Sequence, residues 1–168
     1  MDRINYINKV YASESDIQLF ERMIGERLPA KYREFLLSKG GGALTDDYIF
    51  RMSKPGKLNN TDMLIEDSLE YFSAFNPKGN FDLNTHYHFM SSNDREFPYI
   101  PNEMIVIGGS GSSCLLLGIK GEYLGKVYFW HSNLFHGDEH GEETYDNISF
   151  VSNNFDDFLE SSKIEKAV

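Results

Sequence analysis

Three short apolar segments that follow one another closely in the second half of the chain constrain the fold most. They are Met104–Ile107, Cys114–Ile119 and Lys126–Trp130, and a glycine-containing connection of six residues separates each from the next. A parallel crossover needs a dozen residues or more, so these connections predict antiparallel hairpins. A further strand is predicted at Ile148–Val151, before the end of the chain.

The first forty residues predict two helices. Ser15 to Gln18 has the Ser-x-x-Gln form of a capping box, and an apolar stripe follows at three- and four-residue steps. Pro29 suits the first turn of a second helix, which Gly40–Gly42 would end. A closing helix is predicted after Asn154, with Phe155, Phe158 and Leu159 on its apolar face.

The middle of the chain gives weaker patterns. Tyr48–Met52 and Met63–Ile65 are predicted strands, with a turn at Lys54–Lys57 between them. Leu83–Met90 is typical of a short helix, and Leu69, Phe72 and Phe75 are spaced for another.

This order of elements predicts an α+β fold: a mainly antiparallel sheet with two N-terminal helices and a C-terminal helix. The length of 168 residues suits a single domain, which we predict over residues 1–168 with its core at about 15–160.

The charge balance narrows the classes of partner. The chain has 26 acidic against 16 basic residues, a formal net charge of −10. A nucleic-acid backbone would be repelled, so we expect no direct nucleic-acid binding, whereas a basic protein would be attracted. Cys114 is the only cysteine, which excludes an internal disulfide. The first residues lack the apolar region of a signal peptide and no apolar run would span a bilayer, so we expect a cytoplasmic protein without membrane contact.

Several residues invite an enzymatic or metal-binding interpretation. Gly108–Ser113 lacks the lysine of a phosphate-binding loop and the Gly-x-Ser-x-Gly of a nucleophile elbow, so a tight turn is favoured. Cys114 opens an apolar strand and is expected to be a buried thiol. The histidines (His86, His88, His131, His136 and His140) lack zinc-site spacing with cysteine. We therefore expect no cofactor, no metal and no catalytic residue.

Acidic residues crowd the segment between Trp130 and the last predicted strand. Carboxylates held close together repel one another unless a cation or a basic partner neutralises them, although a solvated loop would also accommodate them. Trp130, Phe135 and Tyr145 are candidate aromatic anchors, and Trp130 fits the core equally well. We predict that a partner-binding surface contains Asp46, Asp47, Glu122, Trp130, His131, Phe135, Asp138, Glu139, Glu142, Glu143 and Tyr145.

Five motifs follow one another along the chain: Leu28–Leu36, Ile100–Pro101, Ile105–Gly111, Gly125–His131 and Phe155–Leu159. Their order resembles the SUKH superfamily, which includes fungal Smi/Knr cell-wall regulators and bacterial immunity proteins. Many relatives have an acidic or amide residue after the glycines and a carboxylate after the tryptophan. Ser112–Ser113 and His131–Ser132 stand there in this chain.

The resemblance implies a non-catalytic binding module. The first hypothesis is an immunity protein that blocks the active site of a cognate bacterial toxin, typically a nuclease with a basic surface. The alternative is a regulatory scaffold in cell-wall or signalling assembly, and a small enzyme is the third hypothesis. The sequence leaves open whether the protein is a monomer or a homodimer.

Overall fold

The computed structural model describes residues 4–59, 62–90, 99–134 and 145–166. Its helices are α1 (Glu14–Ile24), α2 (Ala30–Ser38), α3 (Leu83–Met90) and α4 (Phe155–Ser161). Its strands are β1 (Tyr6–Val10), β2 (Gly41–Met52), β3 (Ile65–Phe72), β4 (Met104–Ser110), β5 (Ser113–Gly118), β6 (Val127–Trp130), β7 (Ile148–Ser152) and β8 (Lys163–Glu165). The α+β class and the mainly antiparallel sheet are confirmed.

The strands form one sheet in the order β1-β2-β3-β4-β5-β6-β7, and each pairs antiparallel to its neighbours. Strand β8 lies beside β2, next to β1 along the same edge. Just beyond β2, the backbone N–H groups of Ser53 and Gly56 donate to the carbonyls of Phe150 and Ile148 in β7. The sheet is therefore strongly curled, and β2 with the residues after it contacts β1, β3, β7 and β8.

An apolar core lies on each face of the sheet, because successive side chains of a strand point to opposite faces. Ile105 and Ile107 belong to the first core, which α1, α2 and α4 cover. Met104 and Val106 belong to the second core, which the end of α3 and the connecting segments cover. The sheet is thus covered on both sides, by helices on one and largely by connecting segments on the other.

The first two helices form where the sequence predicts them, but the first begins earlier. Ser13, not Ser15, is the N-cap of α1: its hydroxyl accepts from the backbone N–H of Asp16, and the Asp16 carboxylate accepts from the backbone N–H of Ser13. The reciprocal capping pair needs only an acceptor three residues on, which Asp16 provides as well as a glutamine would. Arg33 of α2 donates to the Glu14 carboxylate at 2.8 Å and so ties the two helices together.

The prediction was wrong for the segment after residue 62. Met63–Ile65 is not a strand by itself, and Leu69 and Phe72 lie in strand β3, not in a helix. These two side chains enter the same core although they are three residues apart, because the pairing with β2 is irregular between them. Tyr71 pairs with Ala43, whereas Leu69 pairs with Tyr48. The predictions of α3, of the strands β4 to β7, and of α4 with its Asn154 cap are confirmed.

Candidate functional site

The predicted partner-binding residues fall into three groups. Phe135, Asp138, Glu139, Glu142 and Glu143 lie outside the described residues, as do His136 and His140. Four others, Glu122, Trp130, His131 and Tyr145, surround strand β6 and its two connections. Asp46 and Asp47 lie on β2. In the order of the sheet, β3, β4 and β5 lie between β2 and β6.

Trp130 is the last residue of β6 and belongs to the second core. It is 5 % exposed and meets the ring of Tyr99 edge-on at 6.3 Å between ring centroids. The core interpretation of this side chain agrees with that burial. A contact of Trp130 with a partner stays a prediction.

His131 follows Trp130 and is held by the start of strand β7. Its Nε2 lies 2.8 Å from the hydroxyl of Ser149, and its backbone N–H donates to the carbonyl of Asn147 at 2.9 Å. Burial lowers the pKa of His131 and the Asp67 carboxylate opposes that shift, so the ring is neutral at pH 7. Serine, histidine and aspartate together would suit nucleophilic catalysis, but Ser149 is 0 % exposed, so its hydroxyl is buried beside the histidine. The contact between His131 and Ser149 joins the two ends of the chain that border the acidic segment.

Glu122 and Tyr145 are brought together by Tyr123. The rings of Tyr123 and Tyr145 are stacked with centroids 5.9 Å apart, and Tyr123 also meets Tyr128 edge-on. Burial raises the pKa of the Tyr123 hydroxyl above its usual value; a hydrogen bond with Tyr145 opposes this shift, and the charges of Glu122 and Glu103 add to it. Glu122 is exposed beside this pair of tyrosines. Two predicted residues therefore share one surface.

Asp46 and Asp47 lie where β2 is irregular, and they adjoin the C-terminal strand. Asp47 is paired directly with Glu165 of β8, which places two carboxylate residues opposite each other. Like charges at such positions destabilise a sheet. The Thr45 hydroxyl donates to the Asp46 carboxylate at 3.2 Å. The acidic stretch on β2 thus continues onto β8.

Only part of the predicted Gly108–Ser113 connection is a tight turn, because Gly108–Ser110 belong to β4 and Ser113 begins β5. Gly111 and Ser112 connect β4 to β5, and Gly111 has a φ of 55°, which favours glycine. The Gly111 backbone N–H donates to the Glu70 carboxylate at 3.0 Å, and the hydroxyls of Ser112 and Ser132 are 2.6 Å apart. The Glu70 carboxylate therefore accepts the backbone N–H that a bound phosphate would need as a donor.

The surroundings of Cys114 and His86 are those of side chains that pack within the fold. Cys114 is 8 % exposed, as predicted for a core thiol, and burial raises its pKa to about 12, so the thiol stays protonated. His86 lies on α3, with Nδ1 3.1 Å from the hydroxyl of Ser73. Among the described residues, no group of three or more His, Cys, Asp or Glu side chains is arranged to hold a metal ion.

The structure has a groove between α2, α4 and β8 that the sequence analysis did not predict. Its cavity volume is about 720 Å³. Its apolar lining is Ile4, Phe35, Tyr48, Leu159 and Ile164, and Glu160 and Glu165 are among its charged rim residues. The Tyr48 hydroxyl donates to the carbonyl of Leu159 at 3.0 Å and so holds the end of α4 over β2. These lining residues are far apart in the chain, and β8 has only three residues, so no local pattern indicates the groove.

Comparison with known proteins identifies the family of the chain. No curated protein matches the chain. In the part of the chain that the structure describes, no helix is long and apolar enough to cross a membrane. The model of the SMI1 / KNR4 family (SUKH-1) matches residues 11–161, which include α1 to α4 and every strand from β2 to β7. The chain therefore belongs to the SMI1 / KNR4 family (SUKH-1).

Proposed function

We propose that this protein is an immunity protein that binds a cognate bacterial toxin, of the nuclease type with a basic surface, and covers its active site. The observation that carries the proposal is the family match over residues 11–161. The net charge of −10 supports a basic partner, because opposite charges accelerate the encounter of two proteins. A toxin that acts inside cells would be met in the cytoplasm.

We further propose that the protein performs no chemistry and inhibits by occlusion alone. The nucleophiles nearest to a catalytic arrangement support this. Cys114 is a buried thiol whose pKa is raised, and the hydroxyl of Ser149 is enclosed with its histidine. Both groups would need to be exposed to attack a substrate.

The partner surface proposed on β6 combines aromatic and acidic residues. Tyr123 and Tyr145 form a stacked, half-buried pair, and Glu122 is exposed beside them. Rigid aromatic side chains with a charged rim are typical of the centre of a protein interface. The predicted residues of the acidic segment, among them Glu142 and Glu143, would add to this rim.

The immunity function predicts that a neighbouring gene encodes the toxin, and the experiment is a binding measurement with the toxin domain of such a gene. Glu142→Gln with Glu143→Gln is compared with Glu26→Gln with Glu66→Gln, which removes the same charge elsewhere. Charges on the rim act mainly on association, so we expect the first variant to lower the on-rate several-fold at low salt and the control to change it less. Unchanged on-rates would refute the steering role. A toxin domain that does not bind at all would refute the immunity function and favour the regulatory scaffold.

A further inference from the structure

The groove between α2 and α4 has an apolar floor that belongs to the first core. Phe35 and Tyr48 on this floor are 4 % and 3 % exposed, and Leu159 and Ile164 pack half-buried against the same core. Its volume of about 720 Å³ lies within the range of sites that enclose most of a small ligand. The floor therefore suits an aromatic or branched aliphatic side chain.

The rim of the groove is charged unevenly. Lys31 lies 3.1 Å from the Asp156 carboxylate and 4.0 Å from that of Glu34, so this lysine is already neutralised. Glu160 and Glu165 have no ion pair within the residues that the structure describes, and Glu165 is paired across the sheet with the like charge of Asp47.

The remaining rim lysines, Lys39 and Lys163, do not reverse this balance. Over the whole lining, four carboxylates (Glu34, Asp156, Glu160 and Glu165) outnumber the three lysines, and the whole chain is acidic. A cation beside the apolar side chain would meet these carboxylates, whereas an anion would be repelled.

We propose that this groove binds an apolar side chain, flanked by lysine or arginine, from the surface of a basic protein. The assignment rests on the proposed function, since the toxin is the basic protein in question, and it locates a contact that the sequence analysis did not include. Apolar anchors that fill a preformed pocket, surrounded by charged residues, are typical of interface hot spots. The anchor enters between α2 and α4, and its basic neighbours meet Glu160 and Glu165.

Two blocked tripeptides, Lys-Trp-Lys and Glu-Trp-Glu, test the groove directly. Each is titrated into the 15N-labelled full chain while amide chemical shifts are recorded. We expect Lys-Trp-Lys to shift the amides of Ser38, Leu159 and Ile164, and to bind about fivefold more tightly than Glu-Trp-Glu, since exposed ion pairs contribute little each. Shifts centred elsewhere, equal affinities or no binding at millimolar peptide would overturn the proposal.

Variants separate the groove from other surfaces. Ser38 is exposed on α2 and lines the groove, so Ser38→Trp fills it from a position where the fold tolerates the change. Leu19→Trp, at an exposed position of α1, is the matched control. We expect Ser38→Trp to weaken Lys-Trp-Lys at least tenfold and Leu19→Trp to leave it unchanged. Glu160→Gln with Glu165→Gln should remove the preference between the peptides, and a preference that persists contradicts the charge assignment.

The toxin domain distinguishes this proposal from the proposed function. A toxin that binds the wild-type chain and Ser38→Trp equally would overturn the groove contact and leave the immunity function standing. Conversely, peptide binding in the groove by a chain that does not bind the toxin would support the groove and refute the immunity function. Loss of toxin binding in Ser38→Trp, but not in Leu19→Trp, would support both.

Discussion

Leu117 on β5 offers a quantitative test of how the two faces of the sheet depend on each other. Its side chain is 0 % exposed in the first core, and its strand neighbours are Ile105 and Val127. Leu117→Ala removes about three buried carbon groups, or about 2.4 kcal/mol of transfer free energy. A residual cavity of about 60 Å³ adds about 1.5 kcal/mol. We expect the free energy of unfolding to fall by about 4 kcal/mol.

The assay uses Trp130 as a probe on the opposite face of the sheet. It is the only tryptophan, and it lies in the second core. Urea unfolding is followed by its fluorescence and by far-ultraviolet circular dichroism, with Leu19→Ala as the control. Leu19 is 60 % exposed, so its truncation should cost less than about 0.5 kcal/mol. In a chain of this length, the loss at Leu117 should lower Tm by about 8–16 °C.

A loss below about 1 kcal/mol for Leu117→Ala would refute the packing argument. A fluorescence transition that stays in place while the dichroism transition moves would show that the two cores unfold separately, and would refute the single-domain prediction. Coincident transitions that move together are expected of one cooperative unit.

Three further predictions concern buried polar groups and surface charge. Ser149→Ala should cost about 1–3 kcal/mol in urea unfolding, because it removes the hydroxyl beside the Nε2 atom of His131; a smaller loss would contradict this pairing. Because burial lowers the pKa of His131 in the folded chain, the unfolded chain binds more protons below about pH 6.5. Stability should therefore fall as the pH drops from 6.5 towards the lowered pKa, and His131→Gln should flatten this dependence; an unchanged slope would contradict it. Asp47→Asn relieves the charge opposite Glu165 and should stabilise the fold by about 0.2–1 kcal/mol at low salt, a gain that disappears in about 1 M salt; a loss of stability would refute this.

The sheet could be predicted where its signals are local. Strands β4 to β7 are mostly apolar and buried on both faces, and short connections or helix caps bound most of them. Asn154 marks the start of α4 because its side chain accepts from the backbone N–H of Asp157 within the same turn. Short-range chemistry of this kind is visible in the sequence.

The rest of the fold depends on pairing between distant residues. Strands β1 and β8 are short and mostly exposed, and they exist because β2 supplies their hydrogen-bond partners. Strand β3 was mistaken for a helix because Leu69 and Phe72 have helical spacing. The irregular pairing of β3 with β2 allows both side chains to enter the same core. A sequence pattern contains no information on which distant strand will interrupt its register.

The candidate site shows the same division. The burial of Cys114 and a turn within Gly108–Ser113 follow from neighbouring residues and were predicted, although the turn is shorter than that segment. The groove was not, because its floor joins residues from α2, β2, α4 and β8. Asp46 and Asp47 were selected for their charge alone. Only the pairing of Asp47 with Glu165 of β8 shows that they lie near that groove, which Glu165 lines.

Some charged side chains are paired within the fold, whereas others lie opposite a like charge. The second kind, at the rim of the groove, favours a protein as the occupant of the groove. Glu14 with Arg33, and Lys31 with Asp156, join helices to one another and are satisfied within the fold. The carboxylate of Glu165 instead faces a like charge across the sheet. A salt ion would screen that repulsion without filling the apolar floor, and an apolar molecule would fill the floor without relieving the repulsion. A partner that presents an apolar side chain beside a lysine or arginine does both at once, so its two contacts should reinforce each other. A double-mutant cycle between Ser38→Trp and Glu165→Gln should therefore show coupling in toxin binding, and strict additivity would mean that the two features serve different ligands.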